Sequence, residues 1–156
     1  MKIKVLFVNK TVGSWVKEGL TEYKSRLKRY LPVEFIELEI SSTTKRKNQE
    51  ILDEESNKIM SHVKSSDHLI LLDENGAHLS SEEFAKWLNK KFISIQGDLI
   101  FVVGGAYGFH SELKERANEQ LSLSKMTFTH QMVRVIFAEQ LYRSMTILKN
   151  EPYHHS

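Results

Sequence analysis

Apolar and polar positions along this chain change between two periods, and each change marks an element. Ile3, Val5 and Phe7 alternate with Lys4 and Leu6 until Asn9 breaks the run, which predicts a strand over 2–8. Val16, Leu20, Tyr23, Leu27 and Tyr30 recur at helical spacing and predict a helix over 14–30. Val33, Phe35 and Ile40 set against Glu34, Glu37 and Glu39 predict a strand with one wetter face. After a polar, basic loop over 41–47, Leu52, Ile59, Met60 and Val63 form the stripe of a helix over 48–63. The apolar run 68–72 predicts a short strand, and Asp73-Glu-Asn-Gly76 a turn. Ser80 and Glu83 have capping-box spacing ahead of Phe84, Trp87 and Leu88, so a helix over about 80–91 follows. The run 99–103 is apolar throughout, as expected of a central strand covered on both faces. A helix over 111–118, a short strand over 121–123 and a final helix over 130–148 complete the series.

Strands alternating with helices predict an α/β fold with a parallel-rich sheet covered by helices. Ligands in such folds bind outside the carboxyl ends of the strands, which directs attention to the loops after Leu72, Val103 and Leu123. The 156 residues suit one domain, 1–156, and contain no repeat or proline-rich linker.

Composition narrows the function classes. No apolar run approaches the span of a bilayer, and the chain opens in strand-like alternation without a signal-peptide pattern. With no cysteine there is no thiolate chemistry, and a cytoplasmic protein is expected. The net charge of +2 does not by itself argue for nucleic acid. Two clusters do more: Lys24, Arg26, Lys28 and Arg29, and then Lys45, Arg46 and Lys47. Each is either a solvated surface or a set of phosphate contacts.

The candidate chemistry lies between Ile100 and Ser156. Gly104-Gly105-Ala106-Tyr107-Gly108 is either a tight strand-to-helix turn or a loop that brings backbone close to a ligand. It lacks the dinucleotide G-x-G-x-x-G spacing and the Gly-Lys-Ser/Thr ending of a phosphate loop. The segment from Ser122 to His130 is too polar for a strand and too apolar for a free loop. It either packs on its own side chains or offers its backbone groups to a ligand. On the last helix Arg134 leads an apolar stripe of Val133, Phe137, Leu141 and Leu148. Glu139 and Arg143 stand four apart, as in a surface ion pair, unless the arginines face phosphate or a partner subunit. Pro152-Tyr153 gives His154 a rigid approach, which suits a placed side chain better than a frayed tail. Adjacent histidines chelate poorly, and no companion stands at ligand spacing, so no metal is expected.

Taken together, several segments resemble the ribosomal RNA large subunit methyltransferase H family. They are Leu71-Leu72-Asp73, Gly104-Gly105-x-x-Gly108, Leu121-Ser-Leu-Ser-Lys-Met-Thr-Phe-x-His130, Val133-Arg134 to Glu139-Gln140-Leu-Tyr-Arg143, and Pro152-Tyr153-His154. The resemblance runs the whole length, including Tyr23-x-x-Arg26 in the first helix. It implies a SPOUT-type fold with a C-terminal trefoil knot, and a homodimer. It also implies transfer of a methyl group from S-adenosylmethionine to N3 of a pseudouridine in 23S rRNA, on the ribosome's large-subunit RNA. The positions that match the donor-binding motif are Leu72, Gly105, Ser124, Lys125, Met126, Thr127, Phe128 and Thr129. Two departures stand out: Thr129 replaces a frequent proline, and His155 a frequent lysine or arginine.

The chemistry implied needs alignment and removal of the N3 proton, for which histidine is suited near neutral pH. The expected assignment is His154 as the base, Tyr153 positioning it, and Arg143 or Arg134 holding RNA phosphate. Two alternatives compete: a non-catalytic RNA-binding α/β domain without donor affinity, and a small nucleotide hydrolase. The hydrolase would need a phosphate loop and paired carboxylates, for which Asp73-Glu74 is the sole pair near a strand end.

Overall fold

The computed structural model describes residues 1–41 and 47–155. Five strands alternate with five helices: β1 (Ile3–Val8), α1 (Ser14–Leu27), β2 (Val33–Leu38), α2 (Asn48–Met60), β3 (His68–His78), α3 (Ser81–Ser94), β4 (Leu99–Val103), α4 (Ser111–Arg116), β5 (Glu119–Ser122) and α5 (Met132–Leu148). The strands form one sheet in the order β2-β1-β4-β3-β5, and every pairing is parallel. The basic pair Lys45 and Arg46 lies outside the described residues.

Side chains of a strand point alternately to its two faces, and the core divides accordingly. Ile3, Val5, Phe7, Ile70 and Phe101 pack with Val16 and Leu20 of α1, Phe84 and Leu88 of α3, and Phe137 and Leu141 of α5. Leu6, Val8, Leu71, Ile100 and Val102 face the other way, onto Ile59 of α2 and Leu113 of α4. β4 is buried at all five positions, as its unbroken apolar sequence predicts. The capping box is present as expected: Ser80 Oγ accepts from the Glu83 amide, and the Glu83 carboxylate accepts from the Ser80 amide.

Several boundaries differ from expectation for local reasons. α1 stops at Leu27 and Tyr30 closes a tighter turn, its amide donating to the Leu27 carbonyl. Pro32 follows, and a residue before proline is poorly suited to a helix. α4 gives out at Arg116 because Asn118 is drawn into the sheet, where its backbone and side chain pair with Leu69. β3 departs most from expectation. Asp73 to Gly76 do not end the strand; they bulge within it, so that Leu72 and Ala77 both face Leu121 of β5.

Gly76 has a packing role in this bulge. A Cβ there would lie 2.6 Å from the Gln120 carbonyl carbon and 2.7 Å from the Leu121 nitrogen. Both atoms are backbone, so β3 and β5 would have to separate. Gly76→Ala is expected to lower folding stability by about 2 kcal/mol in urea unfolding. A loss below about 0.5 kcal/mol would mean that the pairing yields easily.

Candidate active site

The bulge of β3 and the carboxyl ends of β4 and β5 open into a cleft of about 570 Å³, within the range of small-ligand sites. Its walls come from Leu72 to Asn75, from the loop after Val103, and from the segment after Ser122, with Lys114 and Val133 at its margins. Of the eight positions expected to bind a donor, Leu72, Gly105, Ser124, Met126, Thr127, Phe128 and Thr129 line it. Lys125 lies exposed in the same loop without lining the cleft.

The glycine loop turns tightly and also faces the cleft. It is a tight turn: Gly105 and Gly108 form an isolated antiparallel bridge, and Gly108 takes a φ of 76°, where an L side chain is strained. It is also a cleft wall. Glycine at 105 leaves room for Glu55 of α2, whose Oε1 is 2.8 Å from where a Cβ would lie. Burial pushes the Glu55 carboxyl up to about 7, and neighbouring Glu54 adds to the shift.

The segment after Ser122 is held open by its own hydroxyls. Ser122 Oγ donates to the Ser124 carbonyl, Ser124 Oγ accepts from the Met126 amide, and Thr129 Oγ1 accepts from the Met132 amide where α5 starts. Thr127 Oγ1 donates to Glu74 of the β3 bulge. Among the described residues, the amides of Thr127 to His130 make no bond to a backbone carbonyl outside regular elements. Donors of that kind beside a cleft are available to a ligand. His130 also lines it, and burial, then Arg134, hold its imidazole below the usual pKa. Its neutral ring is a site feature beyond the eight expected positions.

Arg134 does not hold phosphate. It is 0% exposed. Its guanidinium donates to the carbonyls of Val8, Asn9 and His130 and to Thr11 Oγ1, and lies over the Phe7 ring. The expectation of an RNA contact is therefore corrected: this arginine ties the end of the cleft loop to the end of β1.

The C-terminal tail is pinned. Asn150 takes a φ of 55° after α5, and the Glu151 amide returns to the Thr146 carbonyl. Tyr30 OH donates to the Glu151 carboxylate, and the Tyr153 ring stands edge-on to Tyr142 at 4.6 Å. Arg143 binds Glu139 and donates to His154 Nδ1 at 3.0 Å, and Tyr153 OH donates to Glu139 at 3.0 Å. His154 Nε2 lies 2.8 Å from Glu82 in the first turn of α3. With Nδ1 accepting from a guanidinium, Nε2 carries the ring proton and donates it to Glu82. The i,i+4 pair of Glu139 and Arg143 thus belongs to a partly buried network with the tail. Burial, then Tyr23 and Glu139, push the Tyr153 hydroxyl well above its usual pKa, so it stays a phenol.

The first basic cluster is largely engaged within the fold. Lys24 lies over Phe35, Arg26 pairs with Glu22 and covers Tyr23, and Arg29 meets Tyr30 and Glu151. Among the described residues, no group of three or more His, Cys, Asp or Glu side chains could hold a metal ion. No helix there is long and apolar enough to cross a membrane.

The family model described as "Predicted SPOUT methyltransferase" matches residues 1–154. The chain belongs to the SPOUT methyltransferase family. SPOUT relatives similar to it along their full length carry the name ribosomal RNA large subunit methyltransferase H. One from Cytophaga hutchinsonii is 45% identical over 155 residues, covering 99% of this chain and 100% of the relative. One from Parabacteroides distasonis is 43% identical over 156 residues, with 99% of each chain covered. A third, from Geobacter sulfurreducens, is 44% identical over 158 residues, covering 99% of this chain and all of the relative. The resemblance drawn from the sequence motifs is borne out at the level of this SPOUT family, and with it the α/β architecture.

Proposed function

We propose that this chain, as a homodimer, transfers a methyl group from S-adenosylmethionine to N3 of a pseudouridine in 23S ribosomal RNA. The observation that carries the donor half is the cleft. Its apolar walls, Leu72, Val103, Leu123 and Phe128, suit a flat heterocycle, and its unpaired backbone amides suit the polar edges of a nucleoside and an amino acid. The RNA half rests on the names of the relatives. S-adenosylmethionine supplies a methyl group already activated on a sulfonium. What remains for the chain is to align the acceptor and to take the N3 proton.

His154 is the proposed base, with Tyr153 and Arg143 around it. While Arg143 donates to Nδ1, the imidazole has no free lone pair. An RNA phosphate that draws Arg143 onto itself would free Nδ1 to accept the N3 proton. Glu82, at Nε2, would then stabilise the imidazolium. Tyr153 holds Glu139, and its ring lies against the Arg143 guanidinium.

Distance along α5 argues for two copies. Val133 lines the cleft and Arg143 holds the tail. Ten residues of helix separate them by about 15 Å. A second copy that brings its tail to the first copy's cleft would complete the site. Val12, Trp15 and Met132, exposed where α1 and α5 begin, offer apolar surface for that copy. The family's knot would lie in the C-terminal segment that forms the cleft.

Calorimetric titration with S-adenosylmethionine tests the reading. Saturable binding at one site per chain is expected. No binding would favour a non-catalytic RNA-binding domain.

A further inference from the structure

Glu55 is a buried ionisable group that the proposed mechanism leaves unused. It is 5% exposed on α2. Its carboxyl is shifted by burial and by Glu54, and among the described residues no hydrogen bond or cation offsets that shift. Its Oε1 fills the space that a side chain at Gly105 would take. Gly105 itself lines the cleft. A single residue's backbone therefore separates this carboxyl from the ligand space.

Charged groups among the described residues come from every element near it. α2 itself carries Glu50, Asp53, which binds His110 of the α4 cap, Glu54, and Lys58, which is drawn to Glu54. α4 adds Glu112, Lys114 at the cleft margin, Glu115, and Arg116, which donates to the carbonyls of Lys64 and Asp67. β2 brings Glu34, paired with Lys2, and Glu37; beyond its end, Glu39 pairs with Lys10. The glycine loop brings only Tyr107, which is half exposed. Among the described residues, none of the cations named pairs with Glu55. A carboxyl poised near neutrality without a partner ionises when a positive charge is placed close by.

We propose that Glu55 is a positioning residue that senses the donor's positive charge through the Gly105 backbone, ionising when a sulfonium occupies the cleft. This rests on the donor reading above. Methyl transfer leaves the carbon–sulfur electron pair on sulfur, so the product is a neutral sulfide. The carboxylate then loses its partner charge and takes a proton back from solvent. The protein therefore holds the donor more tightly than the product, which favours exchange after each turnover.

The sign of the linkage follows. If the carboxyl has a lower pKa in the donor complex than in the free protein, donor binding expels a proton. Affinity then rises with pH between those two values and levels off above the free value, about 7. A lowering of about one unit gives a tenfold change.

The test is calorimetry at several pH values in buffers of different ionisation enthalpy. Wild type and Glu55→Gln would each be titrated with S-adenosylmethionine and with S-adenosylhomocysteine. The donor's amino group also titrates near this range, at about 8, so the variant isolates the Glu55 contribution. Wild type is expected to release part of a proton per donor bound near neutrality, beyond what Glu55→Gln releases. Its donor affinity should rise about tenfold more than the variant's from acidic to alkaline pH. The product should show no such difference between the two proteins. Equal proton release by wild type and Glu55→Gln on donor binding would overturn the proposal and leave the donor reading intact. Equal proton release by wild type on binding either ligand would do the same, even if the variant failed to fold. Absence of binding by either ligand would overturn both.

Discussion

Replacing Arg134 with methionine is expected to lower folding stability by about 3 kcal/mol. The side chain is fully buried and donates to three carbonyls and one hydroxyl. Methionine fills similar space and offers no donor, so the acceptors on Val8, Asn9, Thr11 and His130 lose their partner together. Unsatisfied buried acceptors cost about 1–3 kcal/mol each. The total is smaller than their sum because a buried charge, itself disfavoured by burial, is removed as well. Urea unfolding followed by circular dichroism measures the loss. Donor affinity should fall as well, because His130 closes the cleft loop. A variant as stable as the wild type would show that those four bonds are unimportant.

Replacing His154 with alanine is expected to slow single-turnover methylation by about 10²- to 10³-fold. Donor affinity should stay within about threefold, because the tail and the cleft of one chain stand roughly ten helical residues apart. Arg143 and Glu82 each lose a partner in this variant, but both retain solvent or a second contact, Glu139 in the case of Arg143. Stability should therefore change little. Rates near wild type would remove His154 as the base. A parallel loss of donor binding would show that the tail helps to hold the donor.

Much of the fold was legible in residue patterns because it follows from local periodicity. β1, β4 and α3 need only alternation, an apolar run and a capping box to be located. β3 was cut short because Asp73-Glu-Asn-Gly76 carries turn chemistry, and a bulge uses the same chemistry without ending the strand. The role of Gly76 depends on β5, 44 positions along the chain, and no local pattern records that contact. Arg134 did leave a signal: it shares helical spacing with Phe137 and Leu141, and all three face the core. Its charge argued for the surface, and only the nearby carbonyls of β1 explain its burial. The cleft loop was recognisable by motif, whereas the approach of Glu82 to His154 joins positions 72 residues apart and needed the assembled chain.

The most direct test of the proposed reaction is mass mapping of 23S rRNA from cells with and without this protein. The account predicts that one methylated pseudouridine disappears on deletion and returns when the gene is restored. A modification map unchanged by deletion would contradict it.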